Sequence, residues 1–276
     1  MKFLSRSYMA LIFFILYAPI LVVVIFSFNS SGSLSDFSGF SLKWYSELFR
    51  DSEAITALKN SLLLAIFSSI LATVLGTLAA FGISHSQNKY YQSIMKGVSN
   101  IPMMNPDIVT GVSMMLLFVG VAAILGLGDV LGMWTMLIAH TTFNLPYVIL
   151  SVLPKFKQMD KHLIEAALDL GCTPRQTFFR VELPAILPGI ISGLMMSFTL
   201  SLDDFVISHF VSSPDFKTLP LYIYNQTAHE VKFSMYALCT LIIVAILVLL
   251  IAVNVAGGRK DKDTSSKTLK KGGARK

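Results

Sequence analysis

Glu165-Ala166-Ala167-Leu168-Asp169-Leu170-Gly171, and nine residues further on Val181-Glu182-Leu183-Pro184, lie in a long connection at 154–188 that can be read residue by residue. Leu163, Ala166, Ala167 and Leu170 recur at helical spacing as an apolar stripe. Gly171 then stops the helix, because glycine accepts the left-handed backbone of a helix end without steric penalty. Thr173-Pro174-Arg175-Gln176 starts another, with Thr173 as N-cap, Pro174 at the first position and Gln176 placed to close a capping box. The segment predicts helix, sharp turn, helix. Ala166 and Ala167 permit close approach and Glu165 can meet a basic group, so the bent pair is suited to enter a groove on a partner.

On either side the chain is too apolar for a soluble domain: 54% of its 276 residues are hydrophobic, 14% are charged and the mean hydropathy is +0.67. A helix crosses a bilayer with about 20 apolar residues, because backbone groups in lipid have only one another as partners. No Asp, Glu, Lys or Arg occurs in 7–35, 60–88, 183–202 or 233–258. Between Lys96 and Lys155 the only such charges are Asp107 and Asp129, and Gly126-Leu127-Gly128-Asp129 divides that stretch in two. Six transmembrane helices are expected, at 8–28, 58–84, 98–125, 130–153, 189–210 and 233–256, in an all-α membrane protein.

An even number of spans puts both termini on one side, and basic residues mark the cytoplasmic side. Seventeen of the 22 Lys and Arg fall in the N-terminal segment, the second and fourth connections and the C-terminal tail. Both termini are therefore expected in the cytoplasm. The first apolar run is longer than a signal-peptide core and no small-x-small cleavage site follows it, which makes it an anchor. The run Arg259-Lys260-Asp261-Lys262 beside the last span suits anionic lipid, and nucleic acid is not expected as a partner despite a net charge of +6. Cys172 lies in a connection and Cys239 in the last span, so the two are not expected to pair.

The external connection 29–57 carries Phe40, Leu42, Trp44, Tyr45, Leu48 and Phe49 at spacings that place them on one face of a short helix. Such a face suits an interfacial helix, or alternatively a docking surface. Three acids lie inside the spans: Asp107, Asp203 and Asp204. A buried ionisable side chain costs roughly 2.5–3.5 kcal/mol on insertion scales, so each needs a reason. No Lys or Arg lies in a span core, and a cationic cargo would supply the missing charge. Asp203 is 14 residues beyond Gly189, about 21 Å at the rise of a helix and in the external half. Asp107 follows Pro102 and Pro106 nearer mid-depth, where it could also cap a restarted helix. Asp203 and Asp204 point about 100° apart as helix neighbours, so one of them could bond to an adjacent helix instead. His85, His140, His162, His209 and His229 show no metal-ligand grouping, and His140 reads as a hydrogen-bonded packing residue. No Gly-x-x-x-x-Gly-Lys-Ser/Thr run occurs, so ATP is not bound by such a loop in this chain.

The run Glu-Ala-Ala, Gly six positions after the Glu, and Val-Glu-Leu-Pro ten positions beyond that Gly resembles the EAA loop of ABC importer permeases. Val181 replaces the isoleucine usual there. With six spans and the loop between the fourth and fifth, the chain resembles the type I importer permease fold. The resemblance implies a division into an N-terminal anchor helix with the external aromatic loop (1–57), a permease domain (58–253) and a basic cytoplasmic tail (254–276). It implies that Glu165, Ala166, Ala167 and Gly171 form a coupling helix seated on a dimer of ATP-hydrolysing subunits. It further implies a second, similar permease subunit, a location in the bacterial inner membrane, no cofactor or metal on this chain and no catalysis by it. Met104-Asn105-Pro106-Asp107-Ile108-Val109, Ser197-Phe198-Thr199-Leu200-Ser201-Leu202-Asp203-Asp204 and Lys43-Trp44-Tyr45 are similar to segments of spermidine/putrescine permeases, specifically the second permease subunit. That resemblance implies a polyamine cargo delivered by a periplasmic binding protein, with Asp107, Asp203, Asp204 and Trp44 along its path. Rival readings are the same machine with a metal, phosphonate or sugar as cargo, a proton-coupled secondary transporter using Asp203 or Asp204, and an intramembrane hydrolase. The EAA-like loop argues against the second, and the absence of a Ser/His or metal-ligand spacing argues against the third.

Overall fold

The computed structural model describes residues 2–33, 36–228 and 232–248. All its regular elements among the described residues are helical, and five helices are long and apolar enough to cross a membrane: Ser5–Phe26, Ser52–His85, Asp107–Leu125, Met133–Gln158 and Pro174–Asp203. An apolar helix, Phe233–Val248, begins where the sixth span is expected. The rest of that span, the basic tail at 254–276 and His229 lie outside the described residues. Contacts divide the chain into two compact units, Met1–Ser52 with Gln226–Lys276, and Glu53–Asn225.

In the first unit, α1 (Lys2–Phe26) is apolar around its circumference and its large side chains stand exposed, as suits a lipid-facing helix. After it the chain is organised by Asn29, which is fully buried. Its amide donates to Ser31 Oγ at 2.9 Å and to the carbonyls of Ser33 and Asp36 at 3.0 and 2.8 Å, while its oxygen accepts from the Ser38 amide at 3.1 Å. The aromatic helix α2 (Lys43–Arg50) is shorter than the expected face. Phe40 and Leu42 precede it: Phe40 pairs its backbone with Asn29 as an isolated bridge, and its ring stacks on Phe28. That bridge extends the chain at Phe40 and ends helical spacing before Lys43.

The second unit is built on three helices, α3 (Ser52–His85), α6 (Met133–Gln158) and α9 (Leu183–Asp203). Lipid removes most of the hydrophobic drive between helices, so close approach of small residues has to supply the packing energy. The sequence provides it at four-residue intervals: Gly189, Gly193, Ser197 and Ser201 on α9, and Ser68, Ala72, Gly76 and Ala80 on α3. The helices α6 and α9 run antiparallel in one register, with His140 beside Ser201, Val148 against Gly193 and Lys155 against Gly189. A Cβ at Gly76 would come within 2.7 Å of Val148 Cγ1, and one at Gly189 within 2.9 Å of the Ser151 carbonyl oxygen. Ala72, Ala80, Val148, Val152 and Ile186 fill the seam and are fully buried.

Two expected spans are broken. The third is divided into α4 (Lys89–Met104) and α5 (Asp107–Leu125), because Asn105-Pro106 is extended and Pro106 has no amide proton with which to continue the ladder. The fifth does not run to residue 210. Its helix α9 ends at Asp203, Asp204 is extended (φ −64°, ψ 120°), and a short helix α10 (Val206–Val211) restarts two residues later. The breaks are neighbours: Gly111, one turn into α5, is so close to α10 that an added Cβ would meet the Phe210 ring at 2.9 Å and the Val206 carbonyl at 3.4 Å.

Candidate functional site

Two regions of the second unit carry the functional candidates, at opposite ends of α9. At its start the expected helix-turn-helix is present. The first helix, α7 (Lys161–Asp169), is N-capped by Asp160, which accepts from the His162 amide at 3.0 Å. It closes in a Schellman turn: the Cys172 amide donates to the Ala167 carbonyl at 3.0 Å and the Gly171 amide to Leu168 at 2.9 Å, with Gly171 at φ +82°. Thr173 then accepts from the Gln176 amide, and Gln176 Oε1 accepts from the Thr173 amide at 2.9 Å, starting α8 (Pro174–Thr177). One π-helical turn, Phe178–Glu182, joins α8 to α9 without a break. The chain from Pro174 to Asp203 is thereby one continuous helical run.

The apolar stripe on this loop is divided. Ala167 is buried against the body of the protein, whereas Ala166, Leu163, Leu168 and Leu170 are exposed, Leu170 to 86%. Glu165 is also exposed, beside His162 at 3.1 Å. Behind the loop, Glu182 is buried and its carboxylate lies 3.3 Å from His85 Nε2 at the last residue of α3; the imidazole ring sits 4.2 Å from that of Phe81. This link between the loop's exit and α3 had no signal in the sequence, since it joins residues far apart in the chain.

At the other end of α9 stand the acids. Asp107 is the first residue of α5 and is exposed. Asp203 is the last residue of α9 and is exposed. Among the described residues no Lys, Arg or His comes within ion-pair distance of either carboxylate. Asp204 is turned inward, with only 9% of its side chain exposed. Its oxygens accept from the amides of Ile207 at 3.3 Å and Ser208 at 2.8 Å, which caps α10, and one of them lies 3.5 Å from His140 Nε2. The two adjacent acids therefore have different surroundings, because α9 ends at Asp203 and the extended backbone at Asp204 starts the turn into α10. Both breaks also expose helix C-termini, at Met104 and Asp203, whose unpaired carbonyls carry partial negative charge. Carboxylates and carbonyl ends together favour a cation.

Trp44 belongs to the first compact unit. Its indole N–H donates to the Asn29 carbonyl at 2.6 Å, its ring stacks on Phe233 at 5.2 Å, and the Lys43 ammonium lies 4.9 Å from the ring centre. Those contacts anchor α2 to the loop ordered by Asn29. Among the described residues, no three His, Cys, Asp or Glu converge as a metal site would require.

The comparisons with known proteins agree with this architecture. Residues 72–260 match the family described as the binding-protein-dependent transport system inner membrane component. The chain is 41% identical over 239 residues to the putrescine transport system permease protein PotI of Escherichia coli, covering 85% of this chain and 83% of that protein. It is 36% identical over 261 residues to the spermidine/putrescine transport system permease protein PotC of the same organism, covering 95% and 96%. Among solved structures, a chain of a bacterial alginate ABC transporter in complex with its alginate pentasaccharide-bound periplasmic protein superposes with a TM-score of 0.72 at 18% identity, over 91% of this chain and 92% of that one. A chain of the MetNI methionine ABC transporter in an inward-facing conformation superposes with a TM-score of 0.57 at 20% identity, over 80% and 97%. With a type I importer fold, multiple apolar helices long enough to cross a membrane and a family match over most of its length, this chain belongs to the family of binding-protein-dependent transport system inner membrane components, the permease subunits of ABC importers.

Proposed function

We propose that the chain is one of two permease subunits of an ATP-driven polyamine importer in the bacterial inner membrane, with both termini in the cytoplasm and residues 58–253 forming the permease domain. The observation that carries the cargo assignment is Asp203: an exposed carboxylate at the negative end of α9, with no basic partner among the described residues. A carboxylate at that end is opposed by the helix dipole and by burial in the membrane, and an ammonium group relieves both. Asp107 at the neighbouring break offers a second acid for the second ammonium of a short diamine or triamine. The similarity to putrescine and spermidine permeases supports the same reading.

Alternating access follows from how the loop is joined to α9. A dimer of ATP-binding subunits seats the exposed face of Leu163, Ala166, Leu168 and Leu170, with Glu165 at its edge. Closure of that dimer moves α7 and α8, and the unbroken run from Pro174 to Asp203 carries the movement to the acids. A periplasmic polyamine-binding protein delivers cargo on the opposite side. The test is uptake of radiolabelled putrescine and spermidine by the permease with its partner subunits, comparing wild type with the double variant Asp203→Asn, Asp204→Asn at matched expression. Loss of uptake with the complex still assembled is expected. Unchanged uptake in the variant contradicts the assignment of the acids, and no polyamine uptake in wild type contradicts the cargo.

A further inference from the structure

Asp203 at the break is charged and exposed; behind it lies a buried polar cluster in the helix seam. His140 is completely buried in α6. Its Nδ1 lies 2.8 Å from Ser201 Oγ of α9, its Nε2 3.3 Å from Ser208 Oγ of α10 and 3.5 Å from the Asp204 carboxylate. Ser201 is in turn 2.9 Å from Ser68 Oγ of α3. α6, α9 and α10 therefore meet at one imidazole, and α3 joins them through Ser201. Ser68 is 17 residues from the end of α3, about 26 Å from the His85–Glu182 link, so the cluster stands well inside the helix bundle.

The direction of the hydrogen bonds follows from the chemistry of the groups. An ionised carboxylate only accepts, so Nε2–H points to Asp204 and Ser208. Nδ1 of a neutral imidazole then accepts from the Ser201 hydroxyl, and Ser201 accepts from Ser68. The Ser201 proton is committed to Nδ1, so the Ser68–Ser201 bond takes its proton from Ser68. The two amides at the start of α10 are satisfied by the same carboxylate, which closes the chain on the helix break itself.

We propose that His140 is a positioning residue of the cation path: it holds Asp204 on the N-terminus of α10, keeps the helix interrupted at 204–205, and so leaves Asp203 as the carboxylate that meets cargo. The inference rests on the reading of Asp203 as a cargo contact. Without the imidazole, Asp204 loses its buried partner and α10 loses its fixed cap. The chain at 203–206 is then free to rewind or to swing the second acid outward, and the site presents its negative charge at a different place.

The experiment uses the complete transporter in proteoliposomes, with putrescine as probe and the variants His140→Leu and His140→Gln. Glutamine reaches both sides of the cluster, accepting from Ser201 and donating towards Asp204. For His140→Leu the half-saturating putrescine concentration is expected to rise about tenfold, with the maximal rate within about twofold of wild type. His140→Gln is expected to restore most of the affinity. Hydrogen exchange of the same complexes supplies a readout that needs no cargo: the Ile207 and Ser208 amides are expected to exchange about tenfold faster in His140→Leu than in wild type. An unchanged half-saturation, or a Gln variant as impaired as the Leu variant, overturns the proposal. So does unchanged exchange at Ile207 and Ser208. If wild type imports no polyamine, the cargo reading fails by itself, and the exchange at Ile207 and Ser208 alone then decides whether His140 fixes the break.

Discussion

The two ends of α9 are built on opposite physics. Its beginning is a surface: Leu163, Leu168 and Leu170 expose apolar side chains on a helix-turn-helix whose shape is set within twenty residues by caps and one glycine. Its end is an interior: His140, Ser201, Ser208 and Ser68 come from four helices and hydrogen-bond to one another, and Asp204 joins them from the break while capping α10. A subunit that relays movement needs both. The exposed end must be free to take on a partner, and the buried end must hold still enough that a displacement of α9 changes what Asp203 faces.

The strongest way to break this contrast is to charge the exposed end. Leu163→Glu with Leu170→Glu places two carboxylates on the face proposed to seat an ATP-binding subunit, on side chains that contribute little to the fold. Uptake by the complex is expected to fall by more than about tenfold while the melting temperature of the isolated subunit stays where it was. Loss of thermal stability instead would show that the face is part of the permease's own packing.

Two glycines sharpen the contrast at smaller cost. Gly76 has an ordinary helical backbone and no room, with Val148 Cγ1 2.7 Å from an added Cβ; Gly171 has φ +82° and nothing within 4 Å. Gly76→Ala is expected to destabilise by about 1–3 kcal/mol through overpacking in the seam. Gly171→Ala is expected to cost only about 1 kcal/mol, the price of a left-handed alanine. Asparagine, which tolerates that conformation, should recover part of the loss at 171 and none at 76. Thermal denaturation of the four variants checks the pair.

The end of the bundle near the loop offers the smallest effect. Lys96 on α4 and Lys157 on α6 line a cleft of about 160 Å³ with Ser99, Asn100 and Leu153. Burial and the neighbouring Lys157 ammonium hold the Lys96 ammonium below its ordinary pKa of 10.5. A base whose folded pKa is lowered opposes folding while it is charged, so stability gains as pH rises through that lowered value and the gain is complete above the ordinary one. Lys96→Gln should remove the repulsion at neutral pH and raise stability by only about 0.3 kcal/mol, because solvent in the open cleft screens the two charges. A lower melting temperature in Lys96→Gln would contradict that sign.

The difference between the ends also explains what could be read from the sequence. Gly171, Thr173 and Gln176 act on residues three to five places away, so their cap and turn are legible one residue at a time, and the charge-free runs reveal the spans in the same way. The ends of spans are legible only where the chain itself signals them. Pro106 signalled the break before Asp107, but nothing in Leu202-Asp203-Asp204-Phe205 announces that α9 stops there. That stop depends on His140, 64 residues earlier in the chain than Asp204, and on the antiparallel register that brings them together. The four-residue repeat of Gly189, Gly193, Ser197 and Ser201 was the available clue to that register. Phe40 and Leu42 failed for a similar reason: their spacing fits the aromatic face, but a backbone bridge to Asn29 takes Phe40 out of helical conformation.

On this reading cargo passes as a cation beside Asp203, whereas Asp204 holds the structure. Half-saturation for putrescine uptake in Asp203→Asn and in Asp204→Asn, each in the complete transporter, tests it most directly. Asp203→Asn is expected to raise half-saturation by about tenfold or more with α10 intact, and Asp204→Asn chiefly to loosen α10, seen as faster exchange at Ile207 and Ser208. Wild-type affinity in Asp203→Asn would contradict it.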